Sequence, residues 1–189
     1  MPSVTRLVPD SPPTARDALV RRVRRPMSGR RASAARAAGR LPLGDRPGFL
    51  IRRLHQIHIA LFLEECARFG ITPVQYSVMT ALEREGALDQ MSLAAEVGID
   101  RANATDVIRR LEGRGVLRRA AGTADGRTKI CSLTAAGRRL TGRMRPVVER
   151  VHRRTVAGLL PRERAAFLAS LVRLVESNND RGRTKLRIG

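Results

Sequence analysis

The chain has 189 residues, of which 37 are Lys or Arg and 17 are Asp or Glu, a formal net charge of +20 at pH 7. That balance favours a polyanionic partner, nucleic acid or an anionic membrane surface. Apolar residues make up 42%, enough at this length for one buried core, but with no Trp, one Tyr and four Phe the stacking platforms of single-strand binders are excluded. Duplex DNA is the better partner. No apolar run approaches the roughly 18 residues needed to span a bilayer, and the Arg-rich start lacks the apolar segment of a signal peptide, so no membrane role and a cytoplasmic location are expected. Two cysteines, Cys66 and Cys131, are too few and too far apart for a zinc cluster or a disulfide framework, and in a reducing compartment both are expected as thiols.

Residues 1–46 read as a basic tail, with eleven Arg against three Asp and Pro, Ser and Ala between them. Disorder is expected there, because little apolar surface is available to offset the entropy of ordering. Met27 is an alternative start. From Pro47 the pattern becomes helical: Leu50, Leu54, Ile57 and Leu61 form one stripe, and Ile51, His55, His58, Phe62, Cys66 and Phe69 a second. A helix apolar on two sides points to an interface. Gly70 closes it, and Thr72-Pro73 supplies an N-cap and a first-turn proline for a second helix to about Glu85.

Residues 89–114 carry the most informative pattern. Asp89 is placed to cap a short helix with Leu93, Ala94 and Val97, Gly98 supplies the turn, and Asp100 caps a longer helix to about Arg114, which is helix-turn-helix spacing. Ile99, Ala104, Val107, Ile108 and Leu111 seat the second helix on the core. Arg101, Ala102, Asn103, Thr105, Asp106, Arg109 and Arg110 face outward, and this set can bond base edges and phosphates. After Gly115, strands at 116–119 and 128–133 flank a polar turn with Asp125-Gly126-Arg127 at its tip. Helix-turn-helix followed by a hairpin is the winged-helix arrangement. Between 101 and 129 lie eight cations and three acids, so charge is concentrated on this stretch. Thr134 then caps a long helix to about Ala157 with Leu140, Met144, Val147, Val148 and Val151 inward, and Pro161 opens a last helix bearing Phe167, Leu168, Leu171, Val172 and Val175. These exceed what a small winged domain needs. The fold expected is mainly α with a small β-wing: a DNA-binding module at about 72–133, dimerisation helices at about 47–69 and 135–178, and a basic tail from 179 to 189.

The stretch from Leu93 to Arg101, the run from Val107 to Arg119, Asp125-Gly126-Arg127, and Ser132 to Gly137, in this order and spacing, resemble the MarR family of winged-helix transcriptional regulators over residues 47–178. The resemblance implies a homodimer on a pseudo-palindromic operator, repressing transcription until a small phenolic or aromatic acid releases it. It also implies that Arg127 enters the minor groove and that Asp125 holds the wing or orients a neighbouring arginine, with Gly126 standing where Arg is commoner. "Thr-Pro-Val-Gln-Tyr" at 72–76 and "Leu-Asp-Gln" at 88–90 are closest to repressors of aromatic-acid and nicotinate catabolism, which points to a hydroxynicotinate-like effector. Because the family binds effectors between its first helices and the winged module, His55, His58, Phe62 and Tyr76 are the ligand-pocket candidates.

The N-terminal half of a recognition helix reaches bases, which favours Arg101, Ala102, Asn103 and Thr105 for that role. Arg109, Arg110, Arg118 and Arg119 are candidates for phosphate contacts or ion pairs, Lys129 is a further DNA-binding candidate, and Arg114 is placed to interact with its own helix C-terminus. His55 and His58, three apart with Glu65 and Cys66 beyond, also have metal-ligand spacing, but interface or pocket histidines are the stronger reading, and no metal or cofactor is expected. Cys66 near Tyr76 leaves a redox-sensing repressor as an alternative, although Cys66 lies late in its helix and only one Tyr exists. No nucleophile elbow, phosphate loop or paired carboxylates support an enzyme. A nonspecific, architectural DNA-coating protein is the other alternative.

Overall fold

Prolines and capping side chains set where the helices begin. In the computed structural model, which describes residues 42–122 and 128–182, helix α1 runs Pro47–Cys66 and continues as a 3-10 turn, Ala67–Phe69, to Gly70. Helix α2, Pro73–Glu85, starts from a capping box: the Thr72 hydroxyl accepts from the Gln75 N–H, and the Gln75 side chain accepts from the Thr72 N–H at 2.9 Å. This pairing satisfies two helix-end donors and explains why Gln75 is buried without cost. The chain divides into two compact units between Ile51 and Arg52. Among described residues the first holds a 3-10 turn, Leu43–Asp45, and the opening of α1.

The second unit contains the winged module. Strand β1, Ala87–Asp89, is followed at once by α3, Gln90–Val97, and then α4, Arg101–Gly113. Asp89 accepts from the N–H groups of Met91 and Ser92, and Asp100 from that of Asn103, so both helices carry the expected carboxylate caps. Between them Gly98 takes φ 72°, a left-handed turn that glycine adopts without a Cβ penalty. Strands β2, Leu117–Ala121, and β3, Lys129–Leu133, form the hairpin, reaching two residues further out on the first side than the 116–119 reading. The sheet has a third strand that the sequence reading did not contain: β1 pairs antiparallel with β3 (Leu88 opposite Cys131), giving the order β1-β3-β2.

Helix α5, Ala135–Thr155, is capped by Thr134 and runs through Pro146. It approaches β2 closely, and only glycine fits at 137, since a Cβ there would lie 2.1 Å from the Val116 carbonyl oxygen. Met144, Val147, Val148 and Val151 are buried with Val78, Met79 and Leu82 of α2, Leu93 of α3, Ile108 and Leu111 of α4, and Phe62 and Cys66 of α1. One core therefore joins α3 and α4 to α1, α2 and α5. Arg145 pairs with Glu83 of α2 at 2.6 Å, and Arg154 with Glu65 of α1 at 2.6 Å. Helix α6, Pro161–Ser177, has no buried residue in the single chain: Leu168 is 55% exposed, and Val172, Leu174 and Val175 are exposed as well. No described helix is long and apolar enough to cross a membrane.

Candidate nucleic-acid interface

Ala104, Ile108 and Leu111 recur at helical spacing, so burying them in the core turns the remaining face of α4 outward. Arg101, Ala102, Asn103, Thr105, Arg109 and Arg110 are all exposed, while Asp106 is half-buried. Asp106 holds two cations, with Arg109 at 2.5 Å and Arg110 at 2.8 Å, and these neighbours keep its carboxyl below the usual range, the Arg109 hydrogen bond contributing most. Both arginines are thus ion-paired on the exposed face of α4. Asn103 is also committed: its amide nitrogen donates to the second oxygen of Asp100 at 2.6 Å, so part of its bonding capacity goes to the helix cap.

The start of α4, the start of α3 and the base of the wing converge. Asp89, Gln90, Met91, Arg101, Thr105, Thr128 and Lys129 line one open groove of about 430 Å³. Gln90 donates to the Thr105 hydroxyl at 2.5 Å, and that hydroxyl donates to the Arg101 carbonyl at 2.8 Å. Gln90 and Thr128 were not among the DNA-contact candidates in the sequence, where Gln90 entered only through the Leu-Asp-Gln resemblance. On β2, Arg118 donates to Ser132 across the hairpin at 3.1 Å, and Arg119 is paired with Glu112 at the end of α4. Arg114 does not serve its own helix end as expected. Its guanidinium reaches the carbonyls of Phe69, at 2.9 Å, and Gly70. Asp125 and Arg127, the wing-tip candidates, lie outside the described residues.

The four ligand candidates fall into two groups. The rings of Phe62 and Tyr76 lie 6.2 Å apart, tilted by 56°, and burial pushes the Tyr76 hydroxyl's pKa up. His58 is half-buried, stacks on His152 of α5 at 5.5 Å and shares a hydrogen bond with the Thr155 hydroxyl at 2.9 Å. Burial first, then the charges of His152 and His55, lower the His58 pKa from the ordinary value of 6.5. His55 is exposed in the single chain. Cys66 and Cys131 are both buried free thiols, and burial pushes both pKa values up, which favours the unreactive protonated form over the thiolate a redox sensor uses. Among the described residues no group of three or more His, Cys, Asp or Glu is placed to hold a metal ion.

Comparison with known proteins adds to this geometry. The sequence profile of the MarR family matches residues 71–129. The chain is 26% identical over 138 residues to the HTH-type transcriptional repressor NicR of Pseudomonas putida, covering 73% of this chain and 87% of that one. Among solved structures, Bordetella bronchiseptica BpsR, whose DNA binding is regulated by 6-hydroxynicotinic acid, aligns with a TM-score of 0.66 at 33% identity over 69% of this chain and 93% of that one. The PcaV transcriptional regulator from Streptomyces coelicolor, solved with its natural ligand, aligns with a TM-score of 0.65 at 31% identity, covering 72% and 96% of the two chains.

Proposed function

Because the chain belongs to the MarR family of winged-helix, DNA-binding transcriptional regulators, we propose that it works as a homodimeric repressor released by a small aromatic carboxylate. The observation that carries the DNA half is the convergence of Arg101 and Thr105 of α4 with Lys129 of the wing on one open groove. Two such faces, presented about 34–36 Å apart by a two-fold dimer, read successive major grooves. Asn103 and Ala102 accompany Arg101 and Thr105 at the base edges. Arg109, Arg110, Arg118 and Lys129 neutralise phosphates, and Arg127, steadied by Asp125, enters the minor groove. The exposed apolar residues of α6 supply the dimer contact.

For the effector, His55, His58, Phe62 and Tyr76 are the proposed lining. Support comes from the half-buried His58 and Tyr76, a hydrogen-bonding ring and a phenol suited to an anionic ring compound, with Phe62 packed in the core against Tyr76. A hydroxynicotinate-like acid is the leading candidate, since BpsR responds to 6-hydroxynicotinic acid. The ligand needs only a preference for the arrangement that misplaces the two recognition helices, and a coupling of about 1–3 kcal/mol lowers operator occupancy five- to 150-fold.

The test is selection of duplexes from a random library, followed by affinity for the selected site against random duplex at fixed salt. A ratio of roughly 10³ or more is expected of a sequence-specific regulator; a ratio below about ten means a nonspecific, architectural DNA-coating protein instead. Replacing Arg127 by Ala should weaken selected-site binding by about 1–3 kcal/mol with the dimer intact in sedimentation. Unchanged affinity would discard the wing assignment. A thermal-shift screen of aromatic acids, 6-hydroxynicotinate among them, addresses the effector.

A further inference from the structure

Helix α4 is held at both ends, and the contact at its C-terminal end crosses to another part of the core. The backbone there is already satisfied: the Arg114 N–H donates to Arg110 and Glu112, Gly115 to Glu112, and Val116 to Leu111. The Arg114 side chain is therefore not needed by its own helix. It reaches back 44 and 45 residues to the Gly70 and Phe69 carbonyls, oxygens at the end of α1 of the kind that helix C-termini leave without intrahelical donors. A guanidinium fork matches two adjacent acceptors in a way a single ammonium does not.

The same turn is gripped from other sides. The Phe69 ring is buried, with the Arg68 guanidinium 4.8 Å from its centroid and that of Arg143, on α5, at 6.0 Å. Gly70 leads through buried Ile71 into the Thr72 cap of α2. The Phe69–Gly70 turn, at the junction of α1 and α2, is thus reached by a side chain of α5, and Arg114 is the link that ties the end of α4 to it.

We propose that Arg114 is a positioning residue for DNA recognition: it fixes the angle of α4 against the end of α1 and thereby sets the separation of the two recognition helices in the dimer. The inference rests on reading α4 as the recognition helix. Ile108 and Leu111 still seat α4 when Arg114 is replaced, so the helix persists but its C-terminal end can swing. The dimer then loses its preference for one half-site spacing.

The experiment uses the full chain and the duplex it selects from a random library, together with the same duplex carrying one extra base pair between its half-sites. Wild type should bind the lengthened duplex about tenfold more weakly or worse, Arg114→Gln by less than roughly threefold, and Arg114→Lys in between. Equal weakening of both duplexes by Arg114→Gln, with the wild-type ratio kept, means that Arg114 only stabilises the fold and overturns the proposal. If Arg114→Gln does not fold by circular dichroism, an unchanged ratio in Arg114→Lys overturns it equally. If wild type selects no duplex at all, the regulator reading fails first and the inference falls with it, a result distinct from a selected duplex whose spacing ratio ignores Arg114.

Discussion

Single side chains at chain junctions decide where the elements of this protein start. Asp89 ends β1 and caps α3, accepting from two backbone N–H groups and from the Ser92 hydroxyl at 2.6 Å. The Ser92 hydroxyl first, then the backbone donors, hold its carboxyl below the ordinary 3.8. A depressed carboxylate stabilises the fold fully above the unfolded value and loses that contribution as pH falls through the lower folded value. Asp89→Asn should therefore flatten the loss of stability below about pH 4 in denaturant titrations, and Asp89→Ala should cost about 0.5–2 kcal/mol near neutrality. Gly137 is constrained by space, not charge. Adding a methyl brings it against the Val116 carbonyl, so Gly137→Ala should lower stability by about 1–3 kcal/mol in thermal or chemical melts. Thr72, Asp89, Asp100 and Thr134 were all legible as caps because capping is local chemistry. The reach of Arg114 to Phe69 and Gly70 was not, since nothing within four residues of it shows what lies across the fold.

Between elements, the contact of α1 with α5 gathers the histidines. All three histidines of the chain bear on it: His58 and His152 stack, and His55 adds to the electrostatic cost of charging His58. A histidine whose folded pKa is lowered binds fewer protons folded than unfolded, so stability rises with pH between the lowered value and the ordinary 6.5. Unfolding titrations should show a weaker fold at pH 5.5 than at 7.5, and His152→Gln should raise the His58 pKa in a proton NMR titration; an unmoved resonance would contradict the stacking. The amphipathic helices were readable from their periodicity, with bounds close to those observed. Strand β1 was not, because three residues carry no alternation to read and the strand exists through its pairing with Ile130, Cys131 and Ser132. The same blindness hid Gln90, whose place beside Thr105 and Lys129 follows from that pairing.

For the whole molecule, the excess of cations over acids predicts a steep salt dependence. Each phosphate neutralised contributes about −0.9 to the slope of log affinity against log salt, so Arg118→Ala should make the slope shallower by about one unit and weaken all duplexes alike. The exposed apolar face of α6 predicts the assembly. Leu168→Asp should shift sedimentation to the mass of a single chain and abolish tight operator binding while leaving the helical signal in place. Sequence made the winged architecture and its charged face visible, since spacing and composition encode them. It also offered Arg109, Arg110 and Arg119 as ion-pair candidates: the pairs of Asp106 with Arg109 and Arg110 are local to one helix, whereas the choice of Glu112 as the partner of Arg119 depends on how α4 faces β2.

Pro146 sits in the middle of α5, the helix that runs from the wing's base past α2 to α1. Proline has no N–H, so the ladder there lacks the rung that would have ended on the Gly142 carbonyl, and residue 142 is itself glycine, the least resistant to deformation. A long rod with one weakened section bends at that section. Any change of angle along α5 is therefore easiest at that section.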